Sequence, residues 1–408
     1  MIRALASRMY PGVSMTARPP VADWATDWDH LDPAWTTDPY GIWDGLRQRC
    51  PVAHTDRYKG VYFPTRYQYI RDIAYDYEHF SSRRVVVRES DYRVNSPPIT
   101  SDPPDHRPMR MALIPPFTPQ AVAKLEAKAR VVCNELIDRF AAGGVCDGAV
   151  DYAQNIPVLI ITHMLGIPAE HGDQFREWIT MALQTGVTDE QALRQAEEAI
   201  AAYFEVQIKA RRENPGEDLV SFLIAARSPD GEPFSDRQVL GALRLLLVAG
   251  IDTTWSAIGS SLWHLATHEQ DRARLVAEPE LIPTAVEEFL RAYAPVTMAR
   301  EIATTTDVGG CPMREGQMVL LSFPAANRDP EKFPDADKVL IDRKHNPHAA
   351  FGLGIHRCIG SNLARMEMVV ALQEWLKRIP AFSLDRSKPT TWSQGTVRGP
   401  RNLPIRIG

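Results

Sequence analysis

The chain has 408 residues, 44% apolar and 24% charged, the composition of a globular protein able to bury a large core. A formal net charge of −5 excludes a general nucleic-acid binder, which needs a phosphate-neutralising excess of lysine and arginine. Five scattered cysteines (Cys50, Cys133, Cys146, Cys311 and Cys358), odd in number and without CxxC spacing, exclude a disulfide framework and a cysteine-rich zinc site and fit a reducing cytosol.

In chain order, the first twenty residues hold no apolar run of signal-peptide or anchor length, so a cytoplasmic protein with no membrane partner is expected. Residues 1–34 read as an N-terminal extension. No linker, repeat or low-complexity block divides the remainder, which predicts a single domain over 1–408. The stretch "GVYFPTRYQYI" reads as short strand material interrupted by Pro64. Residues 83–119 carry eight prolines and several arginines and predict a long irregular loop, which marks a pocket. Helical periods dominate from about 120 to 300. The longest apolar helix should start near Ser235, where Ser235 and Gln238 have capping-box spacing, and its roughly thirty residues would reach about 45 Å. Arg244 and Asp252 interrupt it, which favours a buried central helix over a membrane span. Beyond 300, short segments carry strand and turn signals, with one further helix after Cys358. The class is mainly α with small β-sheets.

Three constellations bear chemistry. In "AGIDTT", Gly250 and Asp252 are both costly inside an apolar helix, so Asp252 must find a partner or shift its pKa. Gly250, Asp252 and Thr253 read either as a packing glycine with a locally bonded Asp/Thr pair, or as a helix distortion that opens a groove beside an acid and a hydroxyl. In "EEFLR", Glu288 and Arg291 have the spacing of a solvated helical ion pair. In "FGLGIHRCIG", a lone cysteine, Cys358, is either a small inert hydrophobe or a thiolate before a helix N-terminus. Phe351, Gly352, Gly354 and Gly360 give that loop little bulk, so a flat ligand can approach, which suggests axial ligation of haem iron.

Taken in order, "DPPDHRPMR", "AGIDTT", "EEFLR", "NRDPEKFPDADKVLIDRKHNPHAAFG" and "FGLGIHRCIG" resemble the cytochrome P450 superfamily, most closely its soluble bacterial camphor-hydroxylase-like branch, over residues 35–408. The resemblance implies the family fold, with haem b between the long central helix and the 351–360 loop. It makes Cys358 the iron ligand, sets Phe351 and Gly352 against the cofactor, and assigns His106, Arg110, Arg300 and His356 to the haem propionates. It further implies that Asp252 and Thr253 deliver protons for activation of O2, the co-substrate. Glu288, Arg291 and Arg343 match a structural triad, whose loss should impair folding or haem loading. The chain ends about fifty residues after Cys358, without a Gly-rich nucleotide fingerprint. Electrons are therefore expected from a separate 2Fe-2S-type ferredoxin and an NAD(P)H-dependent ferredoxin reductase, docking through Arg107, Arg110, Arg357 and Arg365 in a salt-sensitive way.

The resemblance also places the pocket walls. They are the 83–100 access loop, the helix around 176–190, Leu245, Val248 and Ala249 on the central helix, Val296 to Met298, and Thr396 with Val397. Val94 stands where the camphor enzyme presents a tyrosine, which argues against camphor itself, although Tyr92 is nearby. A small hydrophobic substrate, a terpenoid or small aromatic, is the first expectation. Arg84, Arg88 and Arg93 leave open an aromatic or other organic acid held by a loop arginine, and a non-enzymatic haem-thiolate sensor is a further alternative.

Overall fold

The computed structural model describes residues 18–408. Its axis is a helix from Asp236 to Thr267, about 48 Å long. The capping box forms: Gln238 N donates to Ser235 Oγ, and Ser235 N donates back to Gln238 Oε1 at 2.9 Å. The helix runs continuously through Gly250. Gly250 opens space by lacking a side chain, since an added Cβ would meet nothing within 4 Å. This helix is long and apolar enough to cross a membrane, yet it is the centre of the core. Helices Asn155–Met164, Glu190–Glu213 and Ser361–Arg378 pack around it.

A five-stranded mixed sheet flanks this core in the order Val52–Thr55, Val61–Pro64, Met318–Ser322, Thr297–Ile302, Phe80–Ser81. Its register sets Phe80 opposite Ile302 and Met298 opposite Leu321, which brings the start of the access loop beside the strand that carries Arg300. The C-terminal strand Pro404–Ile407 lies between Val145–Asp147 and Phe382–Leu384. Just before it, Pro400–Asn402 pairs with Thr391–Trp392 and holds Arg401 against the central helix.

Four local expectations are corrected. Pro64 ends a strand, and Tyr67–Tyr75 is a helix with Ile70 and Ile73 inward. The irregular segment stops at Asp105: His106–Leu113 is helical, because Pro108 falls in its first turn, where the missing N–H is no loss. The helix expected around 176–190 runs Gly172–Leu183, and the next begins at Glu190. Residues 18–34 are no appendage, for Trp28 is 0% exposed and its ring lies 5.5 Å from that of Phe63. The rest of the expected extension, 1–17, lies outside the described residues.

The Glu288–Arg291 pair is fully enclosed, which overturns its reading as a solvated pair. Arg291 Nε donates to Glu288 Oε2 and Nη2 to Oε1, both at 2.8 Å, and Arg343 Nε donates to Oε2 at 3.0 Å.

A second buried carboxylate, Glu367 on the helix Ser361–Arg378, is 2% exposed, and its Oε2 has no partner among the described residues. Burial pushes its pKa from 4.5 up to about 8. With the folded value above the unfolded one, the contribution to stability is fully present below about pH 4.5 and is lost as pH rises toward 8. The loss is about 1.4 kcal/mol per pH unit. Glu367→Gln should therefore flatten the fall in thermal midpoint between pH 6 and pH 8, roughly, measured on haem-loaded protein. Equal slopes in the two proteins would contradict this.

Candidate functional site

A cavity of about 360 Å³ opens between the central helix and the 351–360 loop. Cys358 forms its floor. It is the one cysteine among the described residues that lines the cavity, and its exposed surface faces that interior. Cys358 N donates to Phe351 O at 2.7 Å, which closes the loop on itself. Gly352 adopts φ +72° beside the cavity. Gly354, at φ +69°, does not face it: a Cβ there would come within 2.2 Å of Ala74 O, so this glycine lets the loop pack on the Tyr67–Tyr75 helix. The helix Ser361–Arg378 begins three residues after the cysteine. Burial raises the Cys358 thiol, while the Gly360 backbone and Arg110, Arg357 and Arg365 favour the thiolate.

One wall gathers cations. Arg110, Arg300 and His356 line the cavity, and the His106 ring packs edge-on behind His356 at 4.6 Å. Arg300 is 4% exposed, and its only side-chain hydrogen bond among the described residues goes to Ala299 O at 2.7 Å. Among the described residues His106 Nε2 is buried without a partner, and His356 Nε2 meets Ser82 Oγ at 2.8 Å. Burial and the neighbouring Arg300, His106 and Arg110 hold the His356 imidazole far below its ordinary value. Burial lowers Arg300 to about 10. Arg110 and Arg300 supply the positive charge, with the His106 and His356 imidazoles as polar partners beside them, which fits a group carrying two carboxylates in the space next to the Cys358 sulfur.

The central helix separates its two polar residues. Thr253 lines the cavity, and its Oγ1 donates to Ala249 O at 2.8 Å. Asp252 does not line the cavity and is 1% exposed. It accepts a hydrogen bond from Arg401 Nη2 at 2.9 Å, and Arg401 Nη1 donates to Ser256 Oγ at 3.1 Å. Burial lifts the Asp252 carboxyl above its ordinary range despite this partner. Sequence reasoning required a partner for Asp252 but missed Arg401, which stands 149 positions further along the chain. The available signal was the set of arginines near the C-terminus, Arg398, Arg401 and Arg406.

The apolar walls come together from distant segments. Val94, Leu245, Val248, Ala249, Val296, Met298, Thr396 and Val397 all line the cavity. A bridge between Val296 and Val397, together with Thr297 N donating to Thr396 O at 2.9 Å, joins the last two stretches. Glu288, Arg291 and Arg343 stay outside the cavity and act on the segment leading to the Cys358 loop. Of the arginines expected to dock a protein, Arg107 and Arg357 are exposed. Arg110 donates to Arg357 O, and Arg365 is held by Glu287 at 2.6 and 2.9 Å, so neither is a free surface charge.

Comparison with known proteins agrees with this geometry. The family model described as Cytochrome P450 matches residues 173–401. Mycinamicin IV hydroxylase/epoxidase of Micromonospora griseorubida is 35% identical over 377 residues, 90% of this chain and 94% of its own. Vitamin D(3) 25-hydroxylase of Pseudonocardia autotrophica is 33% identical over 386 residues, 91% of this chain and 94% of its own. The crystal structure of CYP101J2 superposes with a TM-score of 0.86 at 28% identity, covering 97% of this chain and all of that one. A cysteine on the floor of a largely apolar cavity, two arginines and two imidazoles grouped at one wall, and this kinship lead to one conclusion: the chain belongs to the cytochrome P450 family, as a monooxygenase with haem b as cofactor and O2 as co-substrate.

Proposed function

We propose that this enzyme hydroxylates a C–H bond of a small hydrophobic substrate, a terpenoid or small aromatic, in the cytoplasm, with electrons from a separate 2Fe-2S-type ferredoxin and its NAD(P)H-dependent reductase. The observation that carries the reading is an apolar cavity set directly between Cys358 and Thr253. Cys358 would hold haem b, and Arg110, Arg300, His356 and His106 would hold its propionates; the group would supply reductive oxygen activation there, favoured by an electron-rich thiolate.

The chain's own residues do the rest. The apolar walls exclude water and hold the substrate mainly by burial. Thr253, with its proton directed at Ala249 O, keeps its oxygen free to accept a hydrogen bond from a group in the cavity. Asp252 supplies a buried acid next to Thr253 in the chain, and Arg401 sets where its carboxylate rests. Arg107 and Arg357 supply an exposed basic patch for an acidic donor protein.

The test is reconstitution with a ferredoxin, its reductase, NAD(P)H and labelled dioxygen against a panel of terpenoids and aromatics. Product should carry one labelled oxygen atom. A panel that shifts the iron spin state without yielding any such product would overturn the reading. In the same assay Thr253→Ala should slow product formation by about 10²-fold while reductant consumption continues and peroxide accumulates. Unchanged coupling in that variant would remove Thr253 from proton delivery.

A further inference from the structure

We propose that the substrate carries a carboxylate and that Arg88, which lines the cavity, is the residue that holds it. This inference rests on the reading of the cavity as the substrate site and narrows the chemical class admitted there.

The access loop brings several arginines toward the cavity, and their partners tell them apart. Arg83 is 71% exposed, Arg93 is 53% exposed and lies 3.1 Å from Glu301, and Arg84 lies 3.8 Å from Asp91. Arg244, on the central helix, sits 2.5 Å from Glu197 Oε2 and donates to Ser96 Oγ at 2.9 Å and to Asn95 O. Arg88 alone among these has no such outlet. It is 9% exposed and lines the cavity, and among the described residues it makes neither a hydrogen bond nor an ion pair. Its Nη1 is enclosed and unsatisfied.

The charge balance points the same way. Glu197 is the buried carboxylate nearby, and Arg244 already pairs with it. Glu190, the other carboxylate that acts on Arg88, is itself held by Arg194 at 2.6 Å and by Ser90, so Arg88 and Arg244 are left to share Glu197. A guanidinium stays protonated even when burial lowers its pKa, so an uncompensated Arg88 is costly in the ligand-free enzyme. A ligand carboxylate would offset that cost with paired N–H···O bonds.

Haem propionates do not fill this role. The charged and titratable groups that act on Arg88 are Glu197, Arg84, Tyr92 and Glu190, whereas those acting on the propionate wall are Asp102, Arg110, Arg300, His106, Arg357 and Cys358. The two sets share no member. Much of the remaining lining is apolar, with Val94, Leu193, Leu245 and Val248 among it. The preferred ligand is thus a compact hydrocarbon body with one carboxylate.

The experiment titrates haem-loaded enzyme with para-ethylbenzoate, cyclohexanecarboxylate and a monoterpenoid acid, each against its methyl ester, and reads the low- to high-spin shift. At least one acid should bind more tightly than its ester. Arg88→Leu should weaken that acid by roughly 30-fold or more and leave its ester unchanged or tighter, with Arg88→Lys intermediate. Esters binding as well as acids, an Arg88→Leu variant with unaltered acid affinity, or a panel in which no acid shifts the spectrum would each overturn the assignment. Turnover keeps the two readings apart. Hydroxylation of neutral ligands with no acid bound overturns the carboxylate assignment alone, whereas tight acid binding with no oxygenated product overturns the hydroxylation reading alone.

Discussion

Arg291→Ala should yield almost no haem-loaded enzyme. The guanidinium is 0% exposed, donates twice to Glu288 and also to the carbonyls of Asn327, Ala336 and Lys338 at 2.6–2.9 Å. Removing it strands the Glu288 carboxylate in the core and orphans three carbonyls together. Breaking one buried pair costs about 3–5 kcal/mol, a large share of the roughly 5–15 kcal/mol that keeps a domain folded. Lysine should not rescue, because a point-charge ammonium cannot span five acceptors arranged for a planar fork. Nor should an apolar substitute at both positions, since Arg343 Nε, Asn346 Nδ2 and Leu340 N also donate to Glu288. The measurement is the yield of soluble protein with haem bound, with the thermal midpoint of whatever survives. A normal yield from Arg291→Ala would show that the segment from 327 to 346 holds its path without this network.

That network shows where sequence reading runs out. Spacing alone makes Glu288 and Arg291 an ordinary exposed pair, and only the return of the chain near Asn327 and Arg343 encloses them. Long-range pairing is the general reason for the misses. The Val145–Asp147 strand forms because the C-terminal strand, more than 250 residues away, lies beside it, and no local alternation announces it. Arg401 reaches Asp252 by the same route. Features decided within a few residues were legible. The Ser235/Gln238 cap starts the central helix where its spacing says, and the Cys358 loop precedes a helix as its glycines and the following apolar period imply. The error at His106–Leu113 has the opposite cause, since proline density was weighted over position, and a proline in the first turn does not oppose a helix. Distinguishing Arg88 from Arg84 and Arg93 required counting partners, which three neighbouring arginines in one irregular loop do not reveal in sequence.

Cys358→Ala should abolish oxygen insertion, leaving product formation at the background of free haem. Four other cysteines offer no substitute. Cys133 is enclosed on the helix Glu126–Asp138, burial pushes both it and Cys146 up to about 12, and neither these nor Cys50 and Cys311 line the cavity. Cys358→His separates binding from chemistry, since a neutral imidazole is itself a good axial ligand but a weaker electron donor than thiolate. The histidine variant should retain haem better than the alanine one and still form no hydroxylated product. Both should lose the long-wavelength Soret band that a thiolate imposes on the reduced, carbon monoxide-bound state. Because the polar wall of Arg110, Arg300 and His356 is untouched, some haem should still enter, and the spectrum then reports the ligand directly. Persistence of the long-wavelength band in Cys358→Ala would mean that sulfur from elsewhere reaches the metal, and the floor of the cavity would have to be reassigned.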